Sequence, residues 1–102
     1  MYSARERVEQ QPWLDELDVI ADRLELSSEA RSTAVDLFLS DVPDADRSKP
    51  ASLAACIYAG SLITGDARTQ GVVAEAAGVS RLSIQKRWKC ILERAGLEPP
   101  GW

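Results

Sequence analysis

Apolar residues recur at helical spacing along most of the chain, and no stretch shows the period-two alternation that is typical of strands. Pro12 predicts the start of the first helix, because a proline in the first turn loses no hydrogen bond. Asp15 and Glu16 follow in the predicted first turn, where the helix dipole favours negative charge. The apolar stripe of this helix consists of Trp13, Leu17, Ile20, Ala21 and Leu24.

Two further helices follow, and the second of them differs from its neighbours. Ser27 predicts the N-cap of the second helix, and Pro43 ends it because proline disfavours helix at itself and at the preceding residue. The third helix starts at Lys49-Pro50 and carries no further charged side chain up to Thr64. A helix that is apolar on all sides must be buried on all sides, so this segment is predicted to form the centre of the domain.

The last two predicted helices meet at a glycine. Thr69 predicts the N-cap of a helix over residues 70–77, Gly78 ends that helix, and Ser80 predicts the cap of a fifth. The apolar face of the fifth helix consists of Ile84, Trp88, Ile91 and Leu92. We therefore predict an all-α domain of five helices over residues 12–95, with a flexible arm at residues 1–11 and a non-helical tail at residues 96–102.

The available side chains exclude most catalytic and metal chemistry. The sequence contains no histidine, which removes the Ser-His-Asp and Cys-His arrangements and every imidazole metal ligand. Cys56 and Cys90 are too few for a four-thiolate zinc site and too far apart for a CxxC motif. Cys56 falls within the apolar helix, where a small buried hydrophobe is expected rather than a nucleophile. We expect no catalysis, no cofactor and no bound metal.

Charge is distributed unevenly along the chain. The net charge is −4, but residues 1–67 carry 6 Lys+Arg against 13 Asp+Glu, whereas residues 68–102 carry 6 against 3. Such asymmetry hints at a binding face on an acidic body, although small helical proteins also show it by chance. No stretch approaches the about 20 apolar residues of a membrane span, and the N-terminus lacks the apolar core of a signal peptide. We expect a cytoplasmic protein with reduced thiols.

The spacing from Gln70 to Lys89 is typical of a helix-turn-helix. Ala74 is the small residue that such a unit needs where its two helices touch, and Gly78 tolerates the left-handed backbone of the turn. An ordinary helical hairpin with a solvated basic face would show the same spacing by accident, so both interpretations stay open on this pattern alone. The apolar residues that flank the turn are Val73, Val79 and Ile84.

The candidate site is the face of the fifth helix that lies opposite its apolar stripe. Base-reading side chains of a recognition helix cluster in its N-terminal half. Lysine and arginine suit phosphates there, and glutamine can bond bidentately to adenine. With the residues at the starts of both helices, the predicted DNA-binding set is Arg68, Thr69, Gln70, Ser80, Arg81, Leu82, Ser83, Gln85, Lys86 and Lys89.

Three runs of the sequence resemble one family. The run from Lys49 to Tyr58 resembles the third helix of a cyclin-like repeat in transcription factor B, the archaeal and eukaryotic general initiation factor. The run from Arg68 to Ser80 resembles the RTQ…IA…AGV[ST] pattern of that family, and the run starting at Leu82 resembles VTIRxRYK. The resemblance covers about residues 12–95, which is one complete cyclin-like repeat with a C-terminal helix-turn-helix.

The resemblance implies a DNA-binding transcription regulator. The chain resembles the second repeat of the family, whose helix-turn-helix reads a promoter element upstream of the TATA box in the major groove. The family has a valine and an arginine at two base-reading positions where this chain has Leu82 and Gln85, so the DNA sequence that it reads is left open. Full-length members also carry a zinc ribbon and another repeat. This sequence shows neither, and we expect it not to recruit polymerase in the usual way.

The expected partner is double-stranded DNA, and a module of this size usually gains affinity from a second protein. That protein would be the TATA-binding protein, another transcription factor or a second copy of this chain. The alternative is a protein-interaction module that binds a partner in a groove between its helices without touching DNA. Salt dependence separates the two, because phosphate contacts are salt-sensitive and apolar grooves are much less so. The aspartate-rich surface suggests a halophilic archaeal source, with the protein associated with the nucleoid.

Overall fold

A computed structural model of the chain describes residues 8–40, 42–43 and 45–97. These residues confirm the all-α prediction, and none of their helices is long and apolar enough to cross a membrane. The elements are α1 (Gln11–Arg23), α2 (Ser28–Ser40), a 3-10 turn (Asp46–Ser48), α3 (Lys49–Ile63), α4 (Gln70–Ala77), α5 (Arg81–Gln85) and α6 (Trp88–Arg94).

The start of the chain differs in detail from the sequence prediction. Residues 1–7 of the predicted arm and residues 98–102 of the predicted tail lie outside the described residues, whereas Val8 and Glu9 are helical. Helix α1 begins at Gln11, so the expectation of acidic residues in its first turn is wrong. Asp15 instead lies one turn further on, where its carboxylate accepts a hydrogen bond of 2.8 Å from the Gln11 amide.

Helix α3 lies at the centre of the domain, as its apolar sequence predicts. Every residue from Ser52 to Ser61 is buried, and α3 contacts each of the other five α-helices and the 3-10 turn. An amphipathic helix has one face for its neighbours, whereas this one has no polar face to offer to water. The other helices therefore pack around it, and Cys56 is buried among them as expected.

Helices α2 and α3 cross at close range. A Cβ atom added to Gly60 would lie 3.1 Å from the backbone nitrogen of Ala34 and 3.2 Å from the carbonyl oxygen of Ala30. The small residues on both helices thus bring the two backbones together. Phe38 and Leu37 extend the same contact and are buried in the core. This close approach explains why both helices are rich in alanine.

The predicted helix caps are present. The Ser27 hydroxyl accepts a hydrogen bond from the amide of Ala30 at 3.1 Å, which satisfies one of the unpaired donors of α2. Thr69 and Ser80 cap α4 and α5 in the same way. Gly78 ends α4 with a φ of 72°, a left-handed conformation that favours glycine.

The fifth predicted helical segment is divided in two. Helix α5 ends at Gln85, Lys86 and Arg87 form a turn, and α6 starts at Trp88. The apolar residues of both parts still face the core, since Ile84 and Trp88 are each no more than 1% exposed. The interruption leaves α5 with 5 residues.

We predict that Ile57→Asp unfolds the domain. Ile57 is fully buried at the middle of α3, and an unpaired buried carboxylate costs several kcal/mol, against about 5–15 kcal/mol of total stability. Circular dichroism should show loss of the cooperative thermal transition. Val19→Asp, at an exposed position of α1, is the matched control and should melt like the parent. A native melting curve for Ile57→Asp would disprove the central position of α3.

Candidate nucleic-acid interface

Helices α4 and α5 form the helix-turn-helix that the spacing predicts. Gly78, Val79 and Ser80 connect the two helices, and Val79 donates its amide to the carbonyl of Ala74 at 3.1 Å. The Ser80 hydroxyl accepts from the amide of Ser83 at 3.1 Å and lies 2.9 Å from the Ser83 hydroxyl. Ser80 and Ser83 therefore fix the start of α5, in keeping with the predicted cap at Ser80.

Helix α5 has an exposed side along its whole length. Arg81, Leu82 and Gln85 are exposed, while Ile84 is fully buried and anchors the helix to the core. The Leu82 side chain is 59% exposed and offers apolar surface to a ligand. A thymine methyl group is one partner that such a side chain can contact in a major groove.

The two predicted lysines lie outside α5. Lys86 is the C-cap residue of α5, and Lys89 belongs to α6. Both are exposed. The ammonium group of Lys89 lies 5.4 Å from the centre of the Trp88 ring, a distance that allows a cation–π contact. The relative position of the two lysines is thus set by the turn between α5 and α6 and not by one continuous helix.

An open groove of about 640 Å³ runs between α3, the start of α4 and α5. It brings together five of the ten predicted site residues. From α3, Tyr58 and Leu62 line the same groove. Arg81 crosses the start of α4, since its Cδ lies 3.6 Å from the position that a Cβ on Gly71 would occupy. The predicted residues in this groove are Arg68, Thr69, Gln70, Arg81 and Gln85.

The guanidinium of Arg68 is engaged within the protein. It donates to the carbonyl of Leu24 at 3.1 Å, to the carbonyl of Glu25 at 3.3 Å and to the carboxylate of Asp66 at 2.8 Å. Glu25 has a φ of 54°, a left-handed conformation that is uncommon for residues other than glycine. Arg68 therefore holds the turn between α1 and α2 against the segment that precedes α4.

Asp66 connects the same elements from the other side. Its carboxylate accepts a hydrogen bond of 2.9 Å from the backbone amide of Ser27, and it pairs with Arg68. The Ser27 amide and the Arg68 guanidinium lower the pKa of Asp66 below its usual value. The sequence did not predict the contact of Asp66 with Ser27, because the two residues are 39 positions apart along the chain.

One groove residue was assigned only to the core from the sequence. Tyr58 is buried in α3 and also lines the groove. The sequence does contain one indication of a second role for Tyr58. Its hydroxyl is a polar group within a helix that is otherwise almost entirely apolar. Among the described residues, no group of three or more cysteine and carboxylate side chains is arranged to hold a metal ion.

The chain matches the family model of the transcription factor TFIIB repeat over residues 7–94. The chain belongs to the TFIIB repeat family. This agrees with the resemblance found in the sequence and extends the match slightly into the predicted arm. The helical core around α3 and the helix-turn-helix at its end are therefore those of one TFIIB repeat.

Curated relatives of this TFIIB repeat protein are named transcription initiation factor IIB. The chain is 32% identical over 89 residues to that of Pyrococcus abyssi, with 84% of the chain and 30% of the relative covered. It is 36% identical over 87 residues to factor IIB 1 of Thermoplasma volcanium (81% and 28%). For Pyrobaculum neutrophilum the identity is 38% over 85 residues (79% and 25%). The chain thus spans less than a third of the length of these relatives.

We predict that Asp66→Asn reduces the acid sensitivity of the fold. Since the folded pKa of Asp66 is lowered, its carboxylate stabilises the protein above the unfolded pKa, and this contribution is lost as the pH falls through the folded value. Urea midpoints measured from neutral pH to about pH 3 should fall more steeply for the parent than for Asp66→Asn. At neutral pH the variant should be the less stable of the two.

Asp18→Asn provides the control for this prediction, because it removes the same charge from an exposed position of α1. Its urea midpoints should follow those of the parent across the acid range. Equal acid sensitivity of the parent and Asp66→Asn would show that the contact with Ser27 and Arg68 does not stabilise the fold.

Proposed function

We propose that this TFIIB repeat protein is a DNA-binding transcription regulator that enters the major groove through α5. The observation that carries the proposal is the exposed surface of Arg81, Leu82 and Gln85 on the second helix of a helix-turn-helix. The names of its relatives support a place in transcription initiation. A protein with this function would be located in the cytoplasm and associated with the nucleoid, because its ligand is DNA.

The exposed residues divide into two kinds by chemistry. Gln85 offers a donor and an acceptor together and would read a base edge, with Leu82 beside it for an apolar contact. Arg81, Lys86 and Lys89 would contact phosphates. Ser80 and Ser83 would position the start of α5 near the DNA backbone, and Thr69 would do the same for the start of α4. Gln70 would lie beside a phosphate. Arg68 would support this face through its internal contacts, with only its remaining exposed surface available to DNA.

A partner protein would add to the affinity of this interface. A single module of this size buries only about 600–1,000 Å² on DNA, and α5 has 5 residues. Docking on the TATA-binding protein, on another transcription factor or on a second copy of the chain would enlarge the contact. The acidic residues of α1 and α2 point to an environment of high salt, where such an additional contact matters more.

A specific observation favours the alternative of a protein-interaction module. A groove of about 360 Å³ lies between α1 and α3, with Trp13, Ile20 and Leu53 in its walls. An amphipathic helix of a partner is the kind of ligand that apolar grooves between helices bind. Binding there would be weakly salt-dependent, and it would not need the basic residues of α5 and α6.

We predict that Lys89→Ala weakens binding to all DNA sequences by a similar factor. Removing one phosphate contact should flatten the log–log dependence of affinity on salt by about one unit. Fluorescence anisotropy with preferred and random duplexes at several salt concentrations measures both effects. Lys49→Ala is the control, since it removes another lysine, at the start of α3 and over the Trp13 ring, and should leave the salt dependence unchanged. A parent protein without salt-dependent DNA binding would refute the proposed function.

We predict a different result for Gln85→Ala. Loss of a base-edge contact should cost about 1–3 kcal/mol on the preferred site and little on random DNA, so the specificity ratio should fall. The salt dependence should stay that of the parent because the side chain is neutral. Gln11→Ala, on the exposed face of α1, is the matched control. An equal loss on both kinds of DNA would remove Gln85 from base reading.

A further inference from the structure

A buried tyrosine lies in the wall of the groove between α3, α4 and α5. Tyr58 is 4% exposed, and its ring packs edge-on against Trp88 with the ring centres 5.4 Å apart and the planes at 85°. The hydrogen bond that Tyr58 accepts from Ser61 goes to its backbone carbonyl. No described residue forms a hydrogen bond with its hydroxyl. Because Tyr58 lines the groove and its hydroxyl is not one of the enclosed polar atoms without a partner, the partner left for this hydroxyl is water or a ligand in the groove.

The groove around Tyr58 is rich in donors. The first N–H groups of a helix have no partner within it, and at the start of α4 only the amide of Val72 is met by the Thr69 hydroxyl, at 3.2 Å. The Arg81 side chain packs at Gly71 in this helix start through its Cδ atom and also lines the groove. The other arginine of the groove, Arg68, is occupied by carbonyl and carboxylate oxygens. The donors that remain suit a ligand that only accepts hydrogen bonds.

We propose that this groove binds one phosphate of the DNA backbone and that the Tyr58 hydroxyl donates a hydrogen bond to a phosphate oxygen. The inference rests on the proposed DNA binding and adds to it a contact from the central helix. The groove is continuous with the exposed face of α5, because Arg81 and Gln85 belong to both. A phosphate oxygen carries negative charge and offers no donor, which matches the positive end of α4, Arg81 and the phenol.

The edge-on contact with Trp88 gives Tyr58 a defined direction. The ring is fixed by a fully packed neighbour, so its hydroxyl would meet the ligand without a change in the core. Tyr58→Phe keeps that ring contact and removes only the hydroxyl. The variant therefore separates binding from folding, which a truncation of this buried side chain would not do.

The test compares the parent with Tyr58→Phe in DNA titrations across a range of salt concentrations. We expect Kd to rise about tenfold on preferred and random DNA alike, the size of one hydrogen bond to a charged group. The salt slope should be unchanged since the hydroxyl is neutral, whereas Arg81→Ala should flatten it by about one unit. The melting temperature of Tyr58→Phe should equal that of the parent.

Ser52→Ala is the matched control, because it removes another hydroxyl from a buried position of α3 that does not line the groove. It should bind DNA like the parent. Parent-like binding by Tyr58→Phe would overturn the inference and leave the proposed function in place. A flattened salt slope, a lower melting temperature or a loss confined to the preferred site would also overturn it. Absence of DNA binding by the parent would reject the proposed function and this contact with it.

A free phosphate ion shares the chemistry of the backbone phosphate. Inorganic phosphate titrated into the parent and into Tyr58→Phe, followed by the NMR signals of the Gln70 and Gly71 amides, distinguishes the two sources. Weak binding that does not saturate supports the DNA backbone as the ligand. Saturable binding that is lost in Tyr58→Phe, together with equal DNA affinity of both proteins, would assign the groove to a free ion and overturn the inference.

Discussion

The burial of α3 on all sides is the constraint on which the rest of the structure depends. Its sequence offers no polar face, and every residue from Ser52 to Ser61 is buried. Each other helix therefore contributes one apolar face to a shared core, and the small residues at Ala34 and Gly60 decide how closely α2 approaches. The helix-turn-helix is held in the same way, through Ile84 and Trp88 packed against α3. The rigid core thus determines which side of α5 remains exposed.

Polar contacts then fix the position of the helix-turn-helix relative to α1. Arg68 and Asp66 connect the turn after α1 with the segment before α4, while Arg23 donates to the carbonyl of Ala76 near the end of α4 at 2.8 Å. Such contacts are directional, whereas apolar packing is not. They link the acidic N-terminal half of the chain to its basic C-terminal half.

The sequence predicts those features that depend on local chemistry. Apolar spacing identifies α3 as central, and the caps at Ser27, Thr69 and Ser80 follow from the preference of hydroxyl side chains for helix starts. It does not predict the break at Lys86 and Arg87, because the apolar positions of α5 and α6 fit one continuous helix equally well.

The candidate site was only partly predictable from sequence. The exposed face of α5 follows from its periodicity, but the engagement of Arg68 depends on carbonyls of Leu24 and Glu25, more than 40 residues away. Periodicity describes one helix at a time and contains no information on such distant partners. For the same reason it assigned Tyr58 to the core alone, although the packing of α3 against α4 and α5 also places this residue in the groove wall.

The short α5 limits what this protein can read by itself. A helix of 5 residues that is anchored by Ile84 exposes Arg81, Leu82 and Gln85, and only Leu82 and Gln85 are proposed to contact base edges. If each mismatched base pair costs about 1–3 kcal/mol, direct reading by so few side chains gives modest discrimination against the rest of a genome. Phosphate contacts add affinity but carry no sequence information. Under the proposed function, further specificity would therefore come from the shape of the DNA or from a neighbouring protein whose own site fixes where the repeat binds.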